Sequence, residues 1–196
     1  GKLDWNTESV TRISSMFYRT SYSAECKVPD ISSFDLSSVT EASSVFYGGN
    51  FNASFTLSGV TVSSLFRGAH VRGRVIIKNA PDINAAFQGA TIHGDIGLDE
   101  WDTSLTGRFQ DLFSGAKGDL SGVKNWDVTS GTFFYSMFKE SDLKYAPCWA
   151  WPSVTTVTTN DYNGYANIFK DSDVRGKICT DKFTQANSGT GHSGTV

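Results

Sequence analysis

A short Phe-centred pattern recurs seven times along this chain and constrains its fold more than any other feature. In the first copy, Ile13-Ser14-Ser15-Met16-Phe17, apolar residues stand four places and one place before the Phe, with two small residues between. The central residues of the copies are Phe17, Phe46, Phe66, Phe87, Phe113, Phe138 and Phe169. Apolar residues at i, i+3 and i+4 share one face of a helical turn. The pattern therefore predicts seven short helical turns whose Phe side chains form one internal column.

The copies follow one another at intervals of 20 to 31 residues, a spacing typical of solenoid repeats. After most turns the residues alternate as in a short strand. In the third copy Val75 and Ile77 are predicted to face inward and Ile76 outward, and in the fourth copy Ile96 and Leu98 inward. The sequence thus predicts a repeat solenoid of seven rungs, each a short parallel β-strand plus a short helical turn, buried through its neighbours.

Between turn and strand we expect a tight bend. Three copies carry Gly-Ala there, with Gly68, Gly89 and Gly115 suited to the left-handed conformation that often ends a helix.

Four of the Phe residues are preceded, twelve places earlier, by an aromatic residue that is followed by Asn or Asp. These residues are Trp5, Phe34, Trp101 and Trp126. The pattern predicts buried anchors, each leading into a capped turn. Trp149 has no aromatic counterpart at its place in another rung, and it lies in an irregular stretch that contains Pro147 and Pro152. Two interpretations of Trp149 stay open: an exposed contact residue, or a residue that fills the irregular sixth rung.

The domain organisation follows from the end of the pattern. Residues 1–183 are predicted to form a single β/α solenoid domain, and residues 184–196 a Gly/Ser/Thr-rich C-terminal tail. The chain starts at Gly1 with neither an initiator Met nor a signal peptide, so we expect a processed mature form or a fragment of a longer protein. The first rung starts at Trp5 without the polar cap that a solenoid end normally carries.

Cys148 and Cys179 each stand ten residues after the Phe of their repeat, which places them at equivalent positions on adjacent rungs. Neighbouring strands lie about 4.8 Å apart, which is within the span of a disulfide. The spacing predicts a Cys148–Cys179 disulfide and leaves Cys26, five rungs from Cys148, as a buried thiol.

Composition argues against several classes of function. A formal net charge of −3 and the lack of a basic run argue against nucleic-acid binding. No apolar run approaches the roughly 20 residues that a membrane span needs, so we expect no membrane insertion. The three His residues and the scattered carboxylates have neither metal-ligand nor catalytic spacing. The sequence predicts no enzyme, no metal site and no cofactor. Glycosylation of the single sequon at Asn52 stays open.

The combined pattern W-D-x-S-x-V-T-x-x-S-x-M-F-x-G-A resembles a bacterial and protist surface-protein repeat family related to the BspA-like leucine-rich repeats. The best matches are Trp5 to Tyr18, Phe34 to Gly48, Trp101 to Ala116 and Trp126 to Phe138. The resemblance implies leucine-rich-repeat-like rungs and a location outside the cell or on its surface. It supplies no catalytic motif.

Two functions remain. The first is a structural protein that assembles with copies of itself, as a surface filament or similar assembly, through uncapped solenoid ends and the tail. The second is an adhesion module whose strand face or loops bind other surface proteins or glycans.

Overall fold

The computed structural model describes residues 3, 5–19, 31, 33–52, 54–152 and 164–175. The segments centred on the seven repeated Phe residues lie side by side in parallel, each hydrogen-bonded to the next along the chain. We call these segments tiers, numbered first to seventh in chain order from Phe17 to Phe169.

The strands are short and parallel. They are β1 Asn50–Phe51, β2 Phe55–Ser58, β3 His70–Val71, β4 Val75–Lys78 and β5 Thr91–Ile92. One sheet has the order β1-β3-β5, and the other pairs β2 with β4. In the second sheet Phe55 lies opposite Val75 and Ser58 opposite Lys78. Further parallel bridges, such as Arg12–Glu41 and Asp82–Arg108, join tiers outside these strands.

Each tier is a run of overlapping β-turns, which corrects the predicted short helical turn. In the third tier the amides of Leu65 and Arg67 donate to oxygens three residues back, at 3.1 and 3.2 Å. The intervening amide of Phe66 instead donates 2.7 Å across to the oxygen of Ala86 in the fourth tier. Amides alternate between a local turn and the next tier, so the turn satisfies its own backbone and joins its neighbour.

A left-handed residue stands two places before and two places after every repeated Phe. The pairs are Ser15 and Arg19, Ser44 and Gly48, Ser64 and Gly68, Ala85 and Gly89, Asp111 and Gly115, Ser136 and Glu140, and Asn167 and Asp171. An α-helix does not tolerate a left-handed residue every fourth position. The i, i+3, i+4 pattern therefore reflects the period of these turns. The left-handed conformation expected of Gly68, Gly89 and Gly115 is present.

The predicted strands are only partly present. Val75, Ile76 and Ile77 lie in β4, but Ile76, expected to face outward, is buried. Ile96 and Leu98 are buried as expected. Leu98, however, begins a 3-10 helix, Leu98–Glu100, and a second one spans Ser121–Asn125.

The seven repeated Phe residues form one buried stack. Successive ring centroids are 5.7, 5.2, 5.3, 5.4, 5.6 and 5.7 Å apart, and no interplanar angle exceeds 23°. A second stack joins Phe109, Phe134 and Tyr165, with centroids 5.1 Å apart at each step. Apolar burial is thus continuous from tier to tier.

Among the described residues, no helix combines the length and the apolar character needed to cross a bilayer. The predicted tail, residues 184–196, lies outside the described residues, as do Cys26 and Cys179.

Candidate assembly surfaces

Two of the four predicted anchors, Trp101 and Trp126, are buried and stacked on each other, with centroids 5.4 Å apart. The indole Nε1 of Trp101 donates to the oxygen of Val75 at 2.7 Å, and that of Trp126 to the oxygen of Leu98 at 2.6 Å. Each indole therefore ties its own segment to one 26 or 28 residues earlier.

Trp149 extends this aromatic column, so its interpretation as an exposed contact residue is wrong. Its side chain is only 5% exposed and stacks on Trp126 at 6.3 Å with an interplanar angle of 4°. Its Nε1 donates to the oxygen of Val123 at 3.0 Å. The sequence hid this role because the insert before the seventh tier separates Trp149 from Phe169 by 20 residues instead of twelve.

Trp5 departs from the prediction in the opposite direction. It stacks on Phe34 at 5.8 Å but stays 54% exposed, so it is no buried anchor. Phe34 is half-buried and packs against the core. Trp5 belongs to the first tier and has an aromatic neighbour on one side only among the described residues.

The capped turns after the anchors are present. Asp102 Oδ1 accepts hydrogen bonds from the backbone amide and hydroxyl of Ser104, and Asp127 Oδ1 accepts the same pair from Thr129. These hydrogen bonds, the hydroxyl's first, hold the pKa of both carboxyl groups below the ordinary value. The Asp residues thus have a structural role in the turns.

The first tier exposes a row of hydrogen-bond acceptors. In the second tier the oxygens of Ser43, Val45 and Tyr47 accept amides from the first tier at 2.9, 2.9 and 2.7 Å. Their first-tier equivalents are the oxygens of Ser14, Met16 and Tyr18. Within the described part of the chain, these three oxygens accept no hydrogen bond.

The seventh tier carries two amides that are equivalent to donors of the sixth tier. The amides of Ser136 and Glu140 in the sixth tier donate to oxygens of the seventh at 3.0 and 2.8 Å. Their seventh-tier equivalents, the amides of Asn167 and Asp171, donate to no acceptor among the described residues. The oxygens of Ser14 and Tyr18 at one end and the amides of Asn167 and Asp171 at the other are therefore both four residues apart.

Side chains at the two ends are also complementary. Tyr18 stacks on Tyr47 at 4.7 Å, and the guanidinium of Arg19 lies 5.4 Å from the Tyr18 ring centroid. At the positions equivalent to Tyr18 and Arg19, the seventh tier has Lys170 and Asp171. Stacking a first tier on a seventh tier would place a cation beside an aromatic ring and a carboxylate beside a guanidinium.

Metal ligands and titratable side chains are the other candidates for a functional site. The described residues contain no group of three or more His, Cys, Asp or Glu side chains that could hold a metal ion. His70 and His93 form a pair, with Nδ1 and Nε2 3.2 Å apart, and His93 has its pKa lowered, first by burial and then by Arg72 and His70. Burial raises the pKa of the Tyr165 hydroxyl, which donates to the oxygen of Pro152.

Cys148 is in a disulfide. Both other cysteines of the chain lie outside the described residues, so its pairing with Cys179 stays a prediction. The bridge between Tyr145 and Arg175 brings the sixth and seventh repeats together three residues before Cys148.

Parallel tiers, stacked Phe residues and repeated turn hydrogen bonds define a repeat protein. The chain belongs to the family described as "Mycoplasma protein of unknown function, DUF285", which matches residues 3–72 and again residues 63–172. This match confirms the coarser part of the resemblance, a surface-protein repeat family. Neither the comparison with curated proteins nor that with solved structures found a match.

The two backbone rows at the ends were missed by sequence reasoning, which identified only an uncapped first rung. The left-handed residues of these tiers, Ser15, Arg19, Asn167 and Asp171, gave no signal for the rows, because every tier has left-handed residues at the same two positions.

Proposed function

We propose that this chain is a non-catalytic structural protein that associates end to end with copies of itself. The carrying observation is the match between first-tier oxygens and seventh-tier amides that have no hydrogen-bond partner among the described residues. In the register of the existing ladder, the amide of Asn167 meets the oxygen of Ser14 of the next copy. The amide of Asp171 then meets the oxygen of Tyr18.

This contact joins two different surfaces of the same chain. Head-to-tail contacts of that kind give rings when the rotation closes and filaments when it does not. Unpaired edge groups ordinarily favour pairing with another chain. The exposed ring of Trp5 would lose contact with water in the same step.

Three further parts of the proposal rest on different support. The first is a leucine-rich-repeat-like solenoid of seven rungs, related to the BspA-like proteins; the seven stacked Phe residues support its repeated interior, and the family match supports a surface-protein repeat family and nothing finer. A location outside the cell or on its surface is supported by the disulfide at Cys148, because disulfides persist in oxidising compartments. The tail, residues 184–196, is proposed to contribute to the contact.

Light scattering and electron microscopy test the assembly, with charge variants that identify the contact. Arg19→Asp or Asp171→Arg alone places like charges together and should weaken association by up to about fivefold, given up to about 1 kcal/mol for an exposed pair. The double variant should restore it. Lys124→Glu, an exposed change between the two ends, is the matched control and should leave association unchanged.

Two outcomes would overturn the proposal. One is a dispersed monomer at high concentration; the other is an assembly that ignores both charge reversals. Either outcome would leave the alternative function, an adhesion or ligand-binding module, in place of self-assembly.

Deleting residues 185–196 tests the contribution of the tail. The deletion should leave the tiers folded, as circular dichroism would report, while weakening association.

A further inference from the structure

A cleft of about 680 Å³ separates the residues that follow the fifth tier from those that follow the sixth. One wall is 118–125 and the other 142–148. Its volume is in the range of ligand sites in proteins. Leu120, Val123 and Leu143 line the cleft but are only 1–3% exposed, whereas Tyr145 at the rim is 72% exposed.

The cleft exists because the backbone ladder is interrupted here. One hydrogen bond, from the amide of Asp142 to the oxygen of Ala116 at 3.0 Å, joins the walls at the start. Beyond it, no backbone–backbone bond links them in the described part of the chain. Residues 121–125 form a 3-10 helix in place of a strand. Gly118 allows the bend, since it has a φ of 112° and an added Cβ would collide with the oxygen of Ile92.

The sixth-tier wall turns an unpaired strand edge towards the cleft. The oxygen of Lys144 and the amide of Ala146 bond to Arg175 on the far side, at 2.8 and 3.1 Å. Successive residues of a strand direct their backbone groups to opposite sides. The amide and oxygen of Tyr145 therefore face the cleft, and neither has a hydrogen-bond partner among the described residues.

The lining of the cleft carries two carboxylates and two lysines, and both carboxylates accept hydrogen bonds. Asp119 accepts a hydrogen bond from the amide of Ser121 at 2.8 Å. Asp142 accepts hydrogen bonds from the amide of Gly118 at 3.1 Å and from Lys117 Nζ at 3.4 Å. These contacts outweigh burial and lower the pKa of Asp142. The carboxylates are thus engaged.

Two lysines of the lining, Lys124 and Lys144, are exposed and form no ion pair in the described part of the chain. Lys144 nevertheless lies close enough to Asp142 to help lower the pKa of that carboxyl group. The two lysines stand on opposite walls of the cleft. A ligand lying in the cleft would therefore meet a cation on each side.

We propose that this cleft binds an extended acidic peptide segment of a partner protein. The peptide adds a strand beside Tyr145, exchanging backbone hydrogen bonds with its amide and oxygen. An apolar side chain of the peptide packs against the exposed ring of Tyr145, and carboxylates flanking it meet Lys124 and Lys144. The unpaired backbone amide and oxygen of Tyr145 favour a peptide over a sugar. A sugar would be bound by free side-chain carboxylates or amides rather than by a strand edge.

A random heptapeptide library displayed on phage tests this proposal with the full chain as target. Selected sequences should alternate apolar and acidic residues, and a synthetic copy of one should bind at least tenfold more weakly to the Lys124→Glu/Lys144→Glu double variant. The variant Lys78→Glu, an exposed lysine outside the cleft, should bind as the wild type does. Bound peptide should shift the backbone amide resonance of Tyr145.

A second peptide separates strand pairing from simple charge attraction. N-methylation of its central amide removes a donor without changing charge and should weaken binding about tenfold. The proposal is overturned if phage are enriched no more on the wild-type chain than on the double variant, or if N-methylation of the peptide does not weaken its binding. Binding of a neutral oligosaccharide array in place of peptides would also overturn it and assign the cleft to sugars. None of these variants lies in the first or seventh tier, so failure here is distinguishable from failure of the assembly.

Discussion

The indole Nε1 of Trp101 donates a 2.7 Å hydrogen bond to the main-chain oxygen of Val75, 26 residues earlier in the chain. Trp126 and Trp149 repeat this arrangement with Leu98 and Val123. A large apolar ring thus fills the interior while its one donor satisfies a buried carbonyl. The column therefore contributes both burial and a hydrogen bond that links successive repeats.

Replacing Trp101 with Phe keeps an aromatic ring but removes this donor. The buried oxygen of Val75 then loses the indole hydrogen bond, which should cost about 1–3 kcal/mol besides the smaller ring volume. Urea unfolding measures the change. Trp5→Phe, at an exposed ring, is the matched control and should stay within about 0.5 kcal/mol of the wild type. Equal effects at the two positions would contradict the role of the hydrogen bond.

Phe87 lies in the middle of the Phe stack, 5.3 Å from Phe66 and 5.4 Å from Phe113. Phe87→Ala should lower the free energy of unfolding by about 3–5 kcal/mol, because a cavity opens between two rings. Leu105→Ala, at a side chain that is 63% exposed, should have little effect. A small loss at Phe87, matching that of Leu105, would mean that the stack does not support the fold.

The left-handed turn positions should reject a Cβ even where space is available. Gly68 has a φ of 66° and nothing lies within 4 Å of an added Cβ, so Gly68→Ala isolates backbone strain and should destabilise by about 1–2 kcal/mol. Gly107 lacks a positive φ and also has room for a Cβ, and Gly107→Ala should be neutral or stabilise by up to about 1 kcal/mol. Thermal unfolding of both variants distinguishes strain from crowding.

Acid should destabilise the turn at Asp127. Its pKa is lowered in the folded chain by hydrogen bonds from the hydroxyl and amide of Thr129. The stabilisation is therefore complete above the unfolded value, about 3.9, and is lost as pH falls through the lower folded value. Asp127→Asn keeps an accepting oxygen but cannot titrate. The stability difference between wild type and variant should change across this window, and a difference constant from pH 7 to pH 2 would contradict the assignment.

The disulfide of Cys148 is expected to join Cys179. Peptide mapping without reductant should recover the two cysteines in one cross-linked peptide and leave Cys26 as a thiol. A cross-linked peptide that contains Cys26 would contradict the repeat register in the irregular sixth rung. The register of this pair is a real question, because two separations differ by one residue. The bridged residues Tyr145 and Arg175 are 30 residues apart, whereas Phe138 and Phe169 are 31 apart.

The sequence by itself determined the period of this protein and the interior of each repeat. Seven Phe residues with fixed apolar neighbours predicted one internal stack, and the structure places their rings in one. This inference was available because a repeated unit must bury the same positions against its neighbours. Trp101 and Trp126 followed from the same constant offset.

Only the tertiary structure decided the backbone of those repeats and their ends. An i, i+3, i+4 pattern fits a helical turn as well as overlapping β-turns, and the choice depends on whether alternate amides find acceptors in the next tier, as Phe66 does at Ala86. An insert hid the role of Trp149. The exposure of Trp5 was hidden because it has a single aromatic neighbour in the described part of the chain. Burial at one position depends on what stacks upon it, and that is a property of the neighbouring segment rather than of the residue's own repeat.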